Sequence, residues 1–140
     1  MTGSHNSFAN KISYALAAAH RSVNTSLSAR LKKHGLQIEA WRIMETLEND
    51  DRLRMGELAK VVLINPPTLS KLVDRMVLDG LVHRQVSHRD HRQINLLLTD
   101  LGRKRMMQIR GEVEEQDREI EDRLGPGKAH ELIRLLNELH

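Results

Sequence analysis

Two stretches of this 140-residue chain gather side chains that can meet a polyanion. The first is NPPTLSKLVDRMVLDG (65–80). Leu69, Leu72, Val73, Met76 and Val77 recur at the i, i+3, i+4, i+7, i+8 spacing of an inward helical stripe. Pro67, Thr68, Ser70, Lys71, Asp74 and Arg75 are left on the outside or its flanks. Small residues at the start of such a helix permit close approach, hydroxyls reach phosphates and base edges, and cations follow one or two turns on. The second is HRQVSHRDHR (83–92), with Arg84, Arg89 and Arg92 against Asp90 and His83, His88 and His91 among them. Arg89 near a hairpin tip suits a narrow minor groove, and Arg84 and Arg92 suit phosphates.

Each stretch has a plainer reading. The first is equally an ordinary amphipathic surface helix, and the second a solvated loop. His83, His88 and His91 could also be metal ligands, but no cysteine accompanies them; wing histidines that gain charge as pH falls are the simpler reading. HRDH (88–91) matches a fragment of a kinase catalytic loop, yet the chain has no glycine-rich loop and no DFG. There is no P-loop, GxGxxG or HExxH, and no assignable nucleophile–base pair, so no enzyme is expected.

The elements that must position these residues follow from periodicity and caps. Asn65 is a helix N-cap, Pro66 occupies the first helical position, where a missing N–H costs nothing, and Gly80 is the left-handed stop. The helix N-terminus itself is expected to attract phosphate. GELAKVVLI (56–64) is a brief helix immediately before, so the pair reads as a helix-turn-helix. LVHRQV (81–86) and QINLLLT (93–99) read as strands of a hairpin with a long basic tip. RLRM (52–55) is short enough to be a small strand.

Upstream, Phe8, Ile12, Leu16, Ala19, Val23, Leu27 and Leu31 predict one helix over 7–34, ended by Gly35. Ile38, Trp41, Met44 (or Ile43) and Leu47 predict a second over 37–48. Trp41 belongs to the core or to the wall of a ligand pocket, and His20 and His34 read as structural. Thr99 opens a long helix to about Leu124, with Gly111 a candidate bend and GPG (125–127) a break. A last amphipathic helix carries Leu132, Ile133, Leu135, Leu136 and Leu139. The apolar stripe of the first helix needs a second surface, which a second chain can supply.

Composition narrows the class. With 39% hydrophobic and 29% charged residues the chain can form a packed core, and with only 2% aromatics that core is aliphatic and helix-favouring. The absence of cysteine excludes disulfides, thiolate metal sites and thiol switches. No apolar run has the length of a membrane span and no apolar signal core opens the chain, which predicts a cytoplasmic protein. Net charge is only +3, but it is uneven: residues 112–123 hold seven acids against Arg118 and Arg123, in contrast to the basic 83–92. An anionic partner is therefore expected at one region only, and the acids read as a solvated helix surface.

With these elements in place, HGLQIEAWRIMETL followed by MGELAKVVLINPPTLSKLVDRMVLDGLVHRQVSHRDHRQINLLLTDLGRK resembles the MarR family of bacterial transcription regulators. The matching features are a Gly-Leu-x-x-x-x-Trp helix, an E-L-A helix, a P-P-T-L-S-K-L-V-D-R recognition helix, G-L-V-x-R, a D-x-R wing and a closing L-T-x-x-G. They cover about residues 35–105. The resemblance implies a mainly α fold with a small β wing: a winged helix-turn-helix lobe over 36–99, and a helical dimerisation region formed by 1–35 with 100–140. It implies a homodimer on a pseudo-palindromic operator in double-stranded DNA, with no membrane involvement. The implied DNA-binding residues are Pro67, Thr68, Ser70, Lys71 and Arg75 on the recognition helix, and Arg84, Arg89, Asp90 and Arg92 in the wing, where Asp90 would orient an arginine. Many relatives are repressors that release DNA on binding a small, often phenolic anion, so an aromatic or other anionic effector is implied and no other cofactor. Met55 departs from the Ser or Thr common before the E-L-A helix. The competing reading is a winged-helix module that binds proteins and has no use for a basic wing.

Overall fold

The recognition segment folds as its caps dictate. In a computed structural model that describes residues 7–50, 53–86 and 93–140, helix α4 spans Pro66–Leu78. Asn65 is its N-cap, and its side-chain oxygen accepts from the Thr68 N–H at 3.0 Å. Leu69, Val73 and Met76 are buried, and Leu72 and Val77 are half-buried. At the other end Gly80 takes φ 76°, the Gly80 N–H donates to Val77 and the Leu81 N–H to Met76, each at 3.0 Å. This left-handed cap satisfies the last carbonyls and turns the chain into the next strand.

Before α4 comes α3, Met55–Val62, with Leu58, Ala59 and Val62 buried. Its start is closed by Glu57, whose carboxylate accepts from the Arg54 N–H at 3.2 Å. The turn between α3 and α4 is made by Leu63 at φ 62°, with the Ile64 N–H donating to Ala59 at 3.1 Å. A left-handed conformation costs a side-chain-bearing residue about 1–2 kcal/mol. The exposed Leu63 side chain recovers none of that by burial.

Strands β1 (Val82–Val86) and β2 (Ile94–Leu98) pair antiparallel, with Val82 opposite Leu98, Arg84 opposite Leu96 and Val86 opposite Ile94. Strand alternation puts these six residues on one face and His83, Gln85, Asn95 and Leu97 on the other. Val82, Leu96 and Leu98 are buried, so the first face looks inward. Helix α2 (Ile38–Asn49) packs on α3 and β2 through buried residues that include Trp41, Ile43, Met44 and Leu47.

Helix α5 (Asp100–Leu124) begins at a tight junction. The Thr99 hydroxyl donates to the Gly80 carbonyl at 2.5 Å and accepts from the Gly102 N–H at 2.9 Å, while the Thr99 N–H donates to the Leu81 carbonyl at 3.1 Å. A Cβ on Gly102 would collide with the Leu81 carbonyl oxygen. That is the physical content of the L-T-x-x-G sequence.

The backbone divides into two compact units, residues 34–111 and residues 1–33 with 112–140. The first takes in the winged helix-turn-helix and the opening turns of α5, where Arg110 forks onto both oxygens of Glu48 (2.7 and 2.5 Å). The second comprises α1 (Ile12–Lys32), the rest of α5 and α6 (Lys128–Asn137). Arg30 joins α1 to α5: its guanidinium donates to Glu119 at 2.6 Å and to the Glu112 carbonyl at 3.3 Å, with Glu115 at 3.9 Å. The bond to Glu119 raises the Arg30 pKa above its ordinary value. The buried Gln116 amide donates to the Val23 carbonyl at 3.0 Å. In α6 no residue is buried. No described helix is long and apolar enough to cross a membrane.

Three expectations change. The helix expected over 7–34 is a 3-10 turn at Ser7–Asn10 followed by α1, because Lys11 is extended (φ −81°, ψ 136°) and Phe8 folds back edge-on to Tyr14 at 4.6 Å. RLRM makes no strand among its described residues: Arg54 is the N-cap of α3 and Met55 its first residue. The acids of 112–123 are more than a solvated surface, since Glu115 and Glu119 hold Arg30.

Replacing Gly102 by Ala is expected to cost about 1–3 kcal/mol in urea unfolding, the range for overpacking a tight contact; a loss below about 0.5 kcal/mol would mean that the junction yields easily. Asn65→Ala is expected to cost about 1 kcal/mol through loss of the cap, and an unchanged midpoint would show that the prolines alone start α4.

Candidate nucleic-acid interface

Helix α4 presents Pro67, Thr68, Ser70, Lys71, Asp74 and Arg75 to solvent, all exposed. Lys71 has no ion-pair partner among the described residues. Arg75 keeps a loose pair with Asp79, Nε to carboxylate 3.6 Å, with its side chain three-quarters exposed. These two cations, with the Thr68 and Ser70 hydroxyls, form a surface that can approach phosphates and base edges. The helix N-terminus itself contributes less than the sequence suggested. Pro66 and Pro67 have no N–H and the Thr68 N–H is taken by Asn65, so the first three helical positions offer no open backbone donor. Any anion here must be met by side chains.

The ribbon supplies the second part. Arg84 lies on its inward face, and its guanidinium donates to the Asp74 carboxylate of α4 at 2.5 Å. Its side chain is one-third exposed and engaged with that carboxylate. On the other edge the Arg54 guanidinium donates to the Gln93 side chain at 3.1 Å, and the Gln93 amide donates to Asn95 at 3.0 Å. Neither link was visible in the sequence, because each joins polar residues from different elements. Arg89, Asp90 and Arg92, expected in the wing, lie outside the described residues, as do His88 and His91 of the metal reading. His83 is exposed on the outward face. The described residues hold no cluster of three metal-ligating side chains.

A cleft of about 430 Å³ opens beside the C-terminal half of α4. Leu72, Met76, Leu81, Ile109 and Ala40 give it an apolar wall; His34, Arg75, Asp79 and Arg105 give it a polar one. The Arg105 guanidinium donates to the His34 carbonyl at 3.0 Å. Two guanidinium groups beside an apolar wall suit a small organic anion with an apolar body. No local motif marks this site, since its residues come from α2 and the segment before it, from α4, from the junction with β1 and from α5. Trp41, a candidate for a pocket wall, is instead buried core.

Comparison with known proteins gives this geometry a family. A sequence profile described as MarR family matches residues 34–93. The chain is 32% identical over 128 residues to the HTH-type transcriptional regulator FarR of Neisseria gonorrhoeae, covering 91% of this chain and 88% of that one. It is 29% identical over 127 residues to the homoprotocatechuate degradative operon repressor of Escherichia coli, covering 91% and 86%. Among solved structures, NadR in complex with 4-hydroxyphenylacetate superposes with a TM-score of 0.81 at 32% identity, over 92% of each chain. The repressor CouR bound to a 23-mer DNA duplex has the same fold, with a TM-score of 0.88 at 22% identity over 94% of each chain. With an exposed helix-turn-helix face, a two-stranded wing and near full-length similarity to these regulators, the chain belongs to the MarR family of winged helix-turn-helix transcription regulators.

Proposed function

We propose that the chain is a cytoplasmic, ligand-responsive repressor that binds a pseudo-palindromic operator as a homodimer, with no catalytic role. The exposed face of α4 carries this reading. Thr68, Ser70 and Lys71 project from a helix whose opposite face buries Leu69, Val73 and Met76 in its own lobe. Pro67 permits close approach at the helix start, and Arg75 adds a second cation. In the wing, Arg89 would enter the minor groove and Arg92 meet phosphate, with Asp90 orienting an arginine, as the family pattern implies. Two copies supply two recognition helices for two half-sites about one helical turn apart. Support for two copies comes from apolar residues left exposed in the single chain, Ile12 and Leu16 on α1 and Leu132, Ile133 and Leu135 on α6.

The effector we propose is an aromatic carboxylate. The cleft with Arg75 and Arg105 supports it, as does the similarity to NadR, whose solved complex contains 4-hydroxyphenylacetate. Arg75 lies on both the DNA-facing side of α4 and the cleft wall, so an anion held there would withdraw a cation from the operator.

Lys71→Ala is expected to weaken binding to a duplex selected by the wild-type protein from a randomised library, by roughly 1–3 kcal/mol if Lys71 reads a base edge. If it meets phosphate, the log–log salt slope falls by about 1 instead. Affinity and slope both unchanged would remove α4 from the interface. Adding 4-hydroxyphenylacetate to the complex is expected to release the duplex, and Arg105→Ala to blunt that release while leaving affinity without effector near wild type. Release that persists undiminished in Arg105→Ala would place the effector elsewhere.

A further inference from the structure

We propose that Asp74 is a positioning residue for DNA recognition: with Arg84 on one edge of the ribbon, and Arg54, Gln93 and Asn95 on the other, it braces the wing against the helix-turn-helix without touching DNA. The inference rests on the DNA-binding reading above. An acid among Lys71 and Arg75 on a helix meant for a polyanion is electrostatically costly unless something occupies it. Arg84 does so at 2.5 Å. The strand register explains why this arginine is available. Arg84 shares the inward face with the buried Val82 and Leu96, so it is aimed at α4 and its charge is spent on Asp74.

The opposite edge is tied separately. Arg54 caps α3, and its guanidinium reaches Gln93, which holds Asn95 on β2. One strand is thus linked to the recognition helix and the other to the helix before it. Exposed ion pairs contribute little to global stability. The value of these links is therefore angular: Arg84 holds the middle of one strand to α4, and Arg54 holds the tip-side end of the other, so the two together restrain pivoting of the ribbon against α4.

The test separates the brace from simple electrostatics by the sign of one result. Asp74→Asn removes a negative charge from the DNA-facing helix. If Asp74 were an unhelpful acid and Arg84 a phosphate contact, Asp74→Asn would bind the selected duplex more tightly and Arg84→Gln would lower the salt slope by about 1. The brace predicts the reverse. Asp74→Asn and Arg84→Gln each weaken binding by roughly three- to tenfold, the double variant is no weaker than either single one, and all keep the wild-type salt slope. Thermal melts and light scattering confirm that each variant has the wild-type fold and assembly. Should one single variant fail to fold, the other still decides through its affinity and slope. Tighter or unchanged binding by Asp74→Asn, additive losses, or a reduced slope in Arg84→Gln overturns the brace. Failure of the wild type to select any duplex would overturn the DNA-binding reading itself.

Discussion

The winged lobe depends on the carbonyl oxygen of Leu81 and the missing side chain of Gly102 beside it. That oxygen accepts from the Thr99 N–H, and there is room for it only because residue 102 has no Cβ. The Thr99 hydroxyl completes the junction by bridging the Gly80 carbonyl to the Gly102 N–H. The end of α4, the start of β1, the end of β2 and the start of α5 therefore meet through backbone groups and one threonine hydroxyl. Hydrogen bonds of this kind are modest in net energy. Their consequence is geometric: the recognition helix, the ribbon and α5 leave the junction at fixed angles, and every exposed side chain on α4 inherits that orientation.

Given that frame, the charges on α4 divide by face. Asn65 and the two prolines close the helix start to backbone-mediated anion binding and leave the work to side chains. Lys71 stands open, Arg75 turns along the flank towards the cleft, and Asp74 engages Arg84. The lobe can therefore be close to neutral along much of α4 and still offer a concentrated cationic point. This fits a chain whose net charge is only +3. Specific recognition needs a few well-held groups, whereas general basicity raises non-specific binding.

Much of this lobe was legible in the sequence because local rules set it. The Asn65-Pro66 start, the buried stripe from Leu69 to Met76 and the Gly80 stop are each decided by residues within one or two turns of one another, and the strand pair by two short apolar runs on either side of one polar loop. Thr99 as a helix start was legible too; its second bond, to Gly80, spans 19 residues and was not. What escaped were pairings between elements. The pair of Arg84 with Asp74 escaped because the register of β1 against α4 cannot be read from β1 alone. Arg30 and its glutamates are more than eighty residues apart, so the acidic run looked like plain solvated surface. Lys11 is extended where periodicity carried a helix through, and the chain before it folds back so that Phe8 meets Tyr14. The cleft draws on segments far apart in the chain and had no sequence signature at all.

Arg75 connects the two proposed activities, and thermodynamic linkage constrains what it can do. If an anion in the cleft lowers operator affinity by some factor, the operator lowers anion affinity by the same factor. An effector can thus act only through a group whose state differs between the DNA-bound and free forms. Arg105, tied to the His34 carbonyl, is on the cleft side alone and suits holding the ligand. Arg75, with its side chain three-quarters exposed and only a loose partner in Asp79, has the freedom to turn either way. On the proposed reading, one guanidinium cannot neutralise an operator phosphate and an effector carboxylate together. Losing one such contact changes binding by about the 1–3 kcal/mol typical of allosteric coupling. Competition for Arg75 would then suffice for a response of that size, with no rearrangement of a lobe whose junction at Leu81 and Gly102 leaves little room for one.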